Sequence, residues 1–524
     1  MKHLSKQEYI NKMHGCWLGK AIGGSLGAPF EPTRCTFDID FYTFDLKNGM
    51  LPNDDLDLQL VWLNAAERFG SSINAEKLSE YWMLSISPNW AEYGVGKSNL
   101  RLGLSAPASG RFNNKYKDSN GAWIRSEIWA CLAPGHPETA VKYAYEDASV
   151  DHADEGVYGE IFLAALESAA FVESDKFKLI EIALSYIPEN CDCHKAVKKL
   201  LELHSSGVSW KQARLELLNT HPGSFGGQKF LLPSFGGNLC SETKDIEGDV
   251  PNANWGYDTP SNVALSLLGW LYGDDDFGKS LCITTGCGED ADCTAGSLGA
   301  ILGIIMGADS IPSKWKEPIG NKISTMCISN ATNSIHIPST IDELTKRTAS
   351  LMPSFITKHI NLIETDDKLI SVYDNKELYC KHRQVINDTN GIDKIYFRDN
   401  IPADYVFRGS SAILDAKIIA PEGIEISNTN QLPLTVMIEN TTGYMGMPLY
   451  ANIRFLTPDG ISIEGGNEYA VFINQYHCGS GNHSHNTNII IEYNQKPLIN
   501  IVCEITVPGF PTKIYIPVTL LNIK

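Results

Sequence analysis

The sequence predicts a multidomain protein: a large all-α domain followed by a C-terminal immunoglobulin-like β-sandwich. Three observations carry this. Up to about residue 350, apolar residues recur at three- and four-residue intervals, the spacing of amphipathic or buried helices. Beyond about residue 403 the pattern becomes two-residue alternation in short runs separated by turn residues, as paired strands require. The length of 524 residues allows roughly three domains at about 150 residues each, or one large domain and one small one.

Taken in order, 15–31 reads as a close-packed helix rich in glycine that Pro29 terminates, because proline has no amide to donate. Helices are predicted over 58–69, 138–148, 158–171 and 262–271. Ala133-Pro134-Gly135 and Tyr272-Gly273 supply stops. The most continuous apolar stretch, 295–308, falls short of the ~20 residues a membrane span needs and is glycine-rich, so it reads as a buried helix. Strands are predicted over 417–419, 434–438, 451–456, 469–474, 488–493, 499–506 and 513–520. Pro458-Asp459-Gly460, Gly465-Gly466-Asn467 and Pro508-Gly509 mark turns between them. About seven short strands suit an immunoglobulin-like sandwich. The expected division is 1–350 helical, 351–400 a mixed connecting segment, and 401–524 the sandwich. Ser224-Phe225-Gly226-Gly227 recurs as Ser234-Phe235-Gly236-Gly237, a Gly-rich loop that is either a structural turn or a pocket mouth.

With 43 Lys+Arg against 62 Asp+Glu, the formal net charge is −19. That balance argues against nucleic-acid binding, which needs clustered cations to neutralise phosphates. No membrane partner is expected, and residues 1–8 lack the apolar core of a signal peptide. The 13 cysteines are odd in number and scattered, so a reduced, cytoplasmic compartment is expected. Oligomeric state is left open.

Two acidic constellations carry the chemistry. Asn53-Asp54-Asp55-Leu56-Asp57 opens a helical run, with Asn53 or Asp54 near its cap. Gly288-Glu289-Asp290-Ala291-Asp292-Cys293-Thr294 precedes the small-residue helix. Either alone fits ordinary capping and helix-dipole preferences. Together, carboxylates packed against apolar helices need a counter-charge. A hard divalent cation, Mg²⁺ or Mn²⁺, supplies one through oxygen ligands. Glu31 emerges just past the glycine-rich helix, as a surface carboxylate or a general acid/base at a pocket edge.

Weaker candidates for substrate contacts are Arg111 and Asn113 in the polar loop 105–114. Arg125, between Trp123 and Trp129, suits a phosphate or a structural ion pair. His152 beside Asp151 suits substrate binding or a helix cap. Cys191-Asp192-Cys193-His194 is too tight for a zinc knuckle. Tyr476-His477-Cys478 with His483-Ser484-His485 reads as a solvated hairpin tip, with metal binding the minor alternative.

In sequence order, the three acidic and glycine segments resemble the signatures of the ADP-ribosylglycohydrolase family. The first, G-x-x-x-G-x-x-x-G-D-x-L-G-x-P-x-E, is matched over 15–31 except at its Asp, which this sequence lacks. The second, T-D-D-T, is matched by Asn53-Asp54-Asp55-Leu56. The third, G-G-D-x-D-T, is matched by Gly288-Glu289-Asp290-Ala291-Asp292-Cys293. The resemblance spans roughly 10–310. It implies an all-α domain with a two-metal site, usually Mg²⁺, that hydrolyses the bond between a ribose anomeric carbon and an acceptor. Carried over residue by residue, it implies Asp54, Asp55, Asp290 and Asp292 as metal ligands and Glu31 near the scissile bond. Asn53 stands at one metal-binding Thr; Cys293 stands at the other, with Thr294 displaced by one. Asn53 and Thr294 complete the candidate ligand set, for one or two Mg²⁺ ions or Mn²⁺.

The expected activity is metal-dependent hydrolysis of an ADP-ribosyl or related ribofuranosyl linkage. Glu31, then Asp55, are the candidates for proton transfer, and a small molecule or an ADP-ribosylated or glycosylated partner is the substrate. Hydrolysis of another carbohydrate or nucleoside furanoside is one alternative. A non-catalytic relative that binds ADP-ribose or serves structurally is the other.

Overall fold

The computed structural model describes residues 3–31, 36–222, 256–329, 335–356, 369–371, 377–389, 391–396, 402, 404–426, 430–442, 447–474, 481–494, 498–511 and 513–522. The duplicated Ser224 and Ser234 loops and Tyr476-His477-Cys478 lie outside them. Among the described residues no helix is long and apolar enough to cross a membrane. The described cysteines are all unpaired and buried.

The chain forms two compact units, each discontinuous in sequence. One comprises Met1–Lys97 and Asn113–Arg383; the other comprises Ser98–Phe112 and Gln384–Lys524. The linear division at 350 and 400 does not anticipate this exchange of segments.

The first unit is helical. Its site rests on α1 (Lys6–Gly27), α2 (Asp54–Phe69), α3 (Glu127–Leu132), α4 (Pro137–Ala148), α5 (Glu155–Ala170), α6 (Thr259–Tyr272) and α7 (Ala291–Met306). Helix α8 (Ile341–Ile356) continues past residue 350, and β1 (His3–Ser5) pairs antiparallel with β2 (Leu369–Ser371). Helices α1 and α7 explain the glycine pattern. Gly15, Gly19, Gly23 and Gly27 form one ridge of α1, since residues four apart share a helix face. They meet Gly303, Gly299, Ala295 and Ala291 in turn, so the helices run antiparallel. A Cβ on any of the four α1 glycines would fall inside the facing backbone carbonyl. The two backbones therefore touch directly, and their register places the start of α7 beside the end of α1. Gly19→Leu should wedge them apart and cost at least the about 1–3 kcal/mol typical of overpacking, because backbone cannot yield as a side chain does. Urea unfolding measures this; an unchanged midpoint would contradict the packing.

From Gly15 onward every residue of α1 is buried, and Lys20 is the charged one among them. A buried ammonium on an apolar helix requires partners. These are carboxylates of the site described below.

The second unit holds two five-stranded sheets, ordered β3-β4-β6-β10-β8 and β5-β12-β11-β7-β9. The strands are β3 (Val406–Ser410), β4 (Leu414–Ile419), β5 (Glu425–Ile426), β6 (Gln431–Asn440), β7 (Leu449–Leu456), β8 (Ile461–Ile463), β9 (Glu468–Ile473), β10 (Asn482–Ile491), β11 (Leu498–Thr506) and β12 (Lys513–Asn522). The strands beyond the expected seven, β3, β5 and β8, are sheet-edge strands too short to display a clear alternation. On β7 the alternation is regular: Leu449, Ala451, Ile453 and Phe455 are buried, while Tyr450, Asn452 and Arg454 are exposed. Gly509, with φ +88°, turns the chain from β11 into β12, a left-handed position glycine adopts without strain.

Ser98–Phe112 completes this unit. Leu104 and Ala108 pack on Val502, flanked by Phe112, Leu456 and Tyr515. Asn99 Nδ2 donates to the Ser109 and Phe112 carbonyls at 2.7 Å each, closing the segment on itself.

Candidate active site

Two helix N-termini converge at the site. Asn53 caps α2, its Oδ1 accepting from the Asp55 amide at 2.8 Å. Asp290 occupies the N-cap position of α7. At both ends unpaired backbone amides and the helix dipole favour negative charge, which is why carboxylates can be gathered here. Glu31 follows the short 3₁₀ turn Ala28–Phe30 that ends the α1 ridge.

The structure brings these residues into two overlapping groups whose ligand atoms lie within 4.8 Å of one another: Glu31, Asp290 and Asp292, and Asp55, Asp292 and Cys293. Neutral donors orient most of the carboxylates. Tyr257 donates to Glu31 Oε1 at 3.0 Å, Asn120 Nδ2 to Asp290 Oδ2 at 2.7 Å, and Tyr93 to Asp54 Oδ2 at 3.1 Å. Asn53 Nδ2 reaches Asp292 Oδ2 at 3.2 Å. It fits there because Gly24 leaves room; a Cβ at Gly24 would stand 2.9 Å from that nitrogen. Asp55 differs from the others. Its Oδ2 lies 3.1 Å from the Lys20 ammonium, and its Oδ1 accepts from the Cys293 thiol at 3.3 Å.

Burial and like charge set the electrostatics. Burial, then the Asp292 and Asp54 carboxylates, hold Glu31 well above the usual carboxylate range. Asp54 is raised by burial and by Asp55 and Asp292, and Asp290 by burial and by Asp292 and Glu31. Burial and Asp55 push Asp292 up to about 6. Burial would lower the Lys20 ammonium, but Asp55 and Glu127 outweigh it and hold it charged. Asp290 Oδ1 and Asp292 Oδ1 are buried without a hydrogen-bond partner, in residues only 3% and 5% exposed. Orphaned, buried, mutually repelling carboxylate oxygens fit a hard divalent cation, whose ligands are oxygens of this kind.

Other predicted residues lie elsewhere. The Thr294 hydroxyl turns into its own helix and donates to the Ala291 carbonyl at 3.3 Å. Asp57 accepts from the Met326 and Cys327 amides at 2.7 and 2.6 Å, pinning that loop to α2. Glu289 pairs with Arg214 at 3.6 Å. Asn113 is exposed, and Arg111 is ion-paired with Asp393 at 3.8 Å within the second unit.

Arg125 and His152, the other residues expected to meet substrate, are both fully buried and held by ion pairs and hydrogen bonds. Arg125 pairs with Asp147 at 2.9 Å and Asp151 at 2.7 Å, beneath the Trp82 ring. His152 is held between Asp151 and the Ser119 hydroxyl, each at 2.9 Å. Arg125→Met would strand two buried carboxylates and should cost about 3–5 kcal/mol of stability. Chemical denaturation without substrate reads the loss; an unshifted curve would contradict the structural ion pair.

Two smaller readings also resolve. Cys191 Sγ accepts from the His194 amide at 3.3 Å, so the Cys-Asp-Cys-His run is a helix cap. His483 and His485 lie within β10, paired to β6, rather than on a hairpin tip.

Lys20, Asn120, Tyr93, Tyr257 and Glu127 were not singled out from sequence. Only Lys20 carried a signal, as the lone charge in the apolar, glycine-rich stretch from Gly15 to Gly27. The others are ordinary polar residues that tertiary structure delivers.

Fold and site together define a helical protein with an acidic centre built where two helix N-termini meet the end of a glycine ridge. The ADP-ribosylglycohydrolase family profile matches residues 5–351, and the chain belongs to that family. A solved structure described as an "ADP-ribosylglycohydrolase-related protein complex" is 16% identical, covering 67% of this chain and 99% of its own, with a TM-score of 0.40. No curated protein matches the chain.

Proposed function

We propose that the helical unit is a metal-dependent glycohydrolase that cleaves an ADP-ribosyl or related ribofuranosyl linkage. The observation that carries this reading is the convergence of Glu31, Asp290 and Asp292, with two buried carboxylate oxygens left unpaired. A divalent cation there, Mg²⁺ or Mn²⁺, would supply Lewis-acid and orienting chemistry for sugar hydroxyls. Glu31 is suited to proton transfer. It is half-buried, and Tyr257 orients its carboxylate. Bond cleavage at an anomeric carbon builds positive charge on the sugar, which the surrounding carboxylates stabilise. Asp55, almost wholly buried and held by Lys20, takes a positioning role. Unpaired buried thiols support a reducing, cytoplasmic setting.

Release of free ADP-ribose from an ADP-ribosylated protein in the presence of Mg²⁺ tests the proposal, with nucleoside and other furanosides assayed in parallel. Turnover of a furanoside alone would move the substrate assignment. No turnover of any of them would leave the non-catalytic reading. Glu31→Gln should lower kcat by about 10²–10⁴-fold, the usual scale of a lost general acid or base. Undiminished kcat would remove Glu31 from that role.

A further inference from the structure

The two ligand groups are chemically unequal. In the first, Glu31, Asp290 and Asp292 offer carboxylate oxygens only. Asp290 and Asp292 each have one oxygen fixed by an asparagine amide and the other buried with no hydrogen-bond partner. In the second, Asp55 shares Asp292 with Cys293. Asp55 Oδ1 accepts from the Cys293 thiol, and Asp55 Oδ2, which makes no hydrogen bond, is ion-paired with the Lys20 ammonium at 3.1 Å. That ammonium is itself anchored: Lys20 Nζ lies 2.8 Å from Glu127 Oε1, and it donates to the Ile124 carbonyl at 2.8 Å and to Ser297 Oγ at 3.2 Å. At 2% exposure it cannot swing out to solvent. The position beside Asp55 thus already holds a permanent positive charge. Its remaining ligand, a protonated thiol, is a poor partner for a hard cation.

We propose that this centre takes a single divalent cation, at Glu31, Asp290 and Asp292, and that Lys20 occupies the electrostatic place of a second ion at Asp55. The inference rests on the reading of the site as metal-dependent and specifies its stoichiometry. Lys20 acts as a positioning residue: it neutralises Asp55 and fixes it against α7.

The test uses the full chain, stripped with chelator and titrated with Mn²⁺, by equilibrium dialysis with elemental analysis and by electron paramagnetic resonance. One Mn²⁺ per chain with an isolated six-line spectrum is expected. Asp290→Asn should weaken that binding at least tenfold. Lys20→Gln should admit a second ion and broaden the spectrum through spin coupling. Should Lys20→Gln fail to fold, the parent stoichiometry and Asp290→Asn still decide. Two Mn²⁺ per parent chain would overturn the single-ion inference while leaving a metal centre in place. No Mn²⁺ binding would overturn both the inference and the metal-dependent function. Undiminished affinity in Asp290→Asn would displace the ion from the assigned group, and a Lys20→Gln protein still holding one ion would remove Lys20 from its role.

Discussion

Asp292→Asn should abolish hydrolysis while making the metal-free protein more stable. Asp292 belongs to both ligand groups, and its Oδ1 is buried with no hydrogen-bond partner. Asparagine is nearly isosteric and keeps a carbonyl oxygen that can still accept from Asn53, so the local frame should survive. What disappears is the negative charge that binds a cation. Lewis-acid stabilisation amounts to several kcal/mol, and each 1.36 kcal/mol is a factor of ten, so kcat/KM should fall at least about 10³-fold. The same substitution removes one of the buried like charges raising Asp54 and Asp290. The chelated variant should therefore unfold at a higher temperature than the chelated parent. The opposite signs are diagnostic, since a merely misfolded variant would lose both properties. Retained activity, or a chelated variant less stable than its parent, would refute the assignment.

Metal and pH should act on stability in opposition. Burial and the Asp55 carboxylate push Asp292 up to about 6 in the folded protein, against an ordinary value of 3.8. Between roughly pH 4 and 6 the folded state keeps a proton that the unfolded chain has released. Stability conferred by that proton is complete below the lower value and is lost as pH rises through the upper one. Glu31, Asp54 and Asp290 are shifted in the same direction and add to the loss. In chelator, the unfolding temperature should fall from pH 5 to pH 8. Mg²⁺ favours the ionised carboxylates and should reverse the slope, adding about 2.7 kcal/mol at a hundredfold excess over its Kd. The increment should be large at pH 8 and small at pH 5, where protons compete for the same oxygens. Thermal scans with and without Mg²⁺ across this range measure it. A chelated protein that gains stability up to pH 8 and ignores Mg²⁺ would contradict the account.

The helical unit was legible because its signals are local. Glycines four apart imply backbone contact, and Asp clusters at helix starts imply gathered charge. Residues fixed by long-range contact were not legible. Asp57 sits in the same acidic run as Asp54, yet its carboxylate binds the Met326 and Cys327 amides, 269 and 270 residues away in sequence. Arg125 and His152 have the right chemistry for a ligand, yet both lie buried against Asp147, Asp151 and Ser119, and sequence spacing does not encode burial. Lys20 lies more than thirty residues from Asp55, so a search for nearby cations in sequence overlooks it. In the sandwich, long strands were read from alternation and edge strands of two to five residues escaped.

The exchange of Ser98–Phe112 has a practical consequence for protein engineering. A gene cut near residue 400 would encode the helical unit with Leu104 and Ala108 deprived of Val502. Such a fragment would present a greasy, sticky flap and should precipitate on expression. Conversely, strands produced without that flap would bare Val502 and Leu456. The two units are thus interlaced in the genetic text, so an expression boundary must carry Ser98–Phe112 with the strands it packs on.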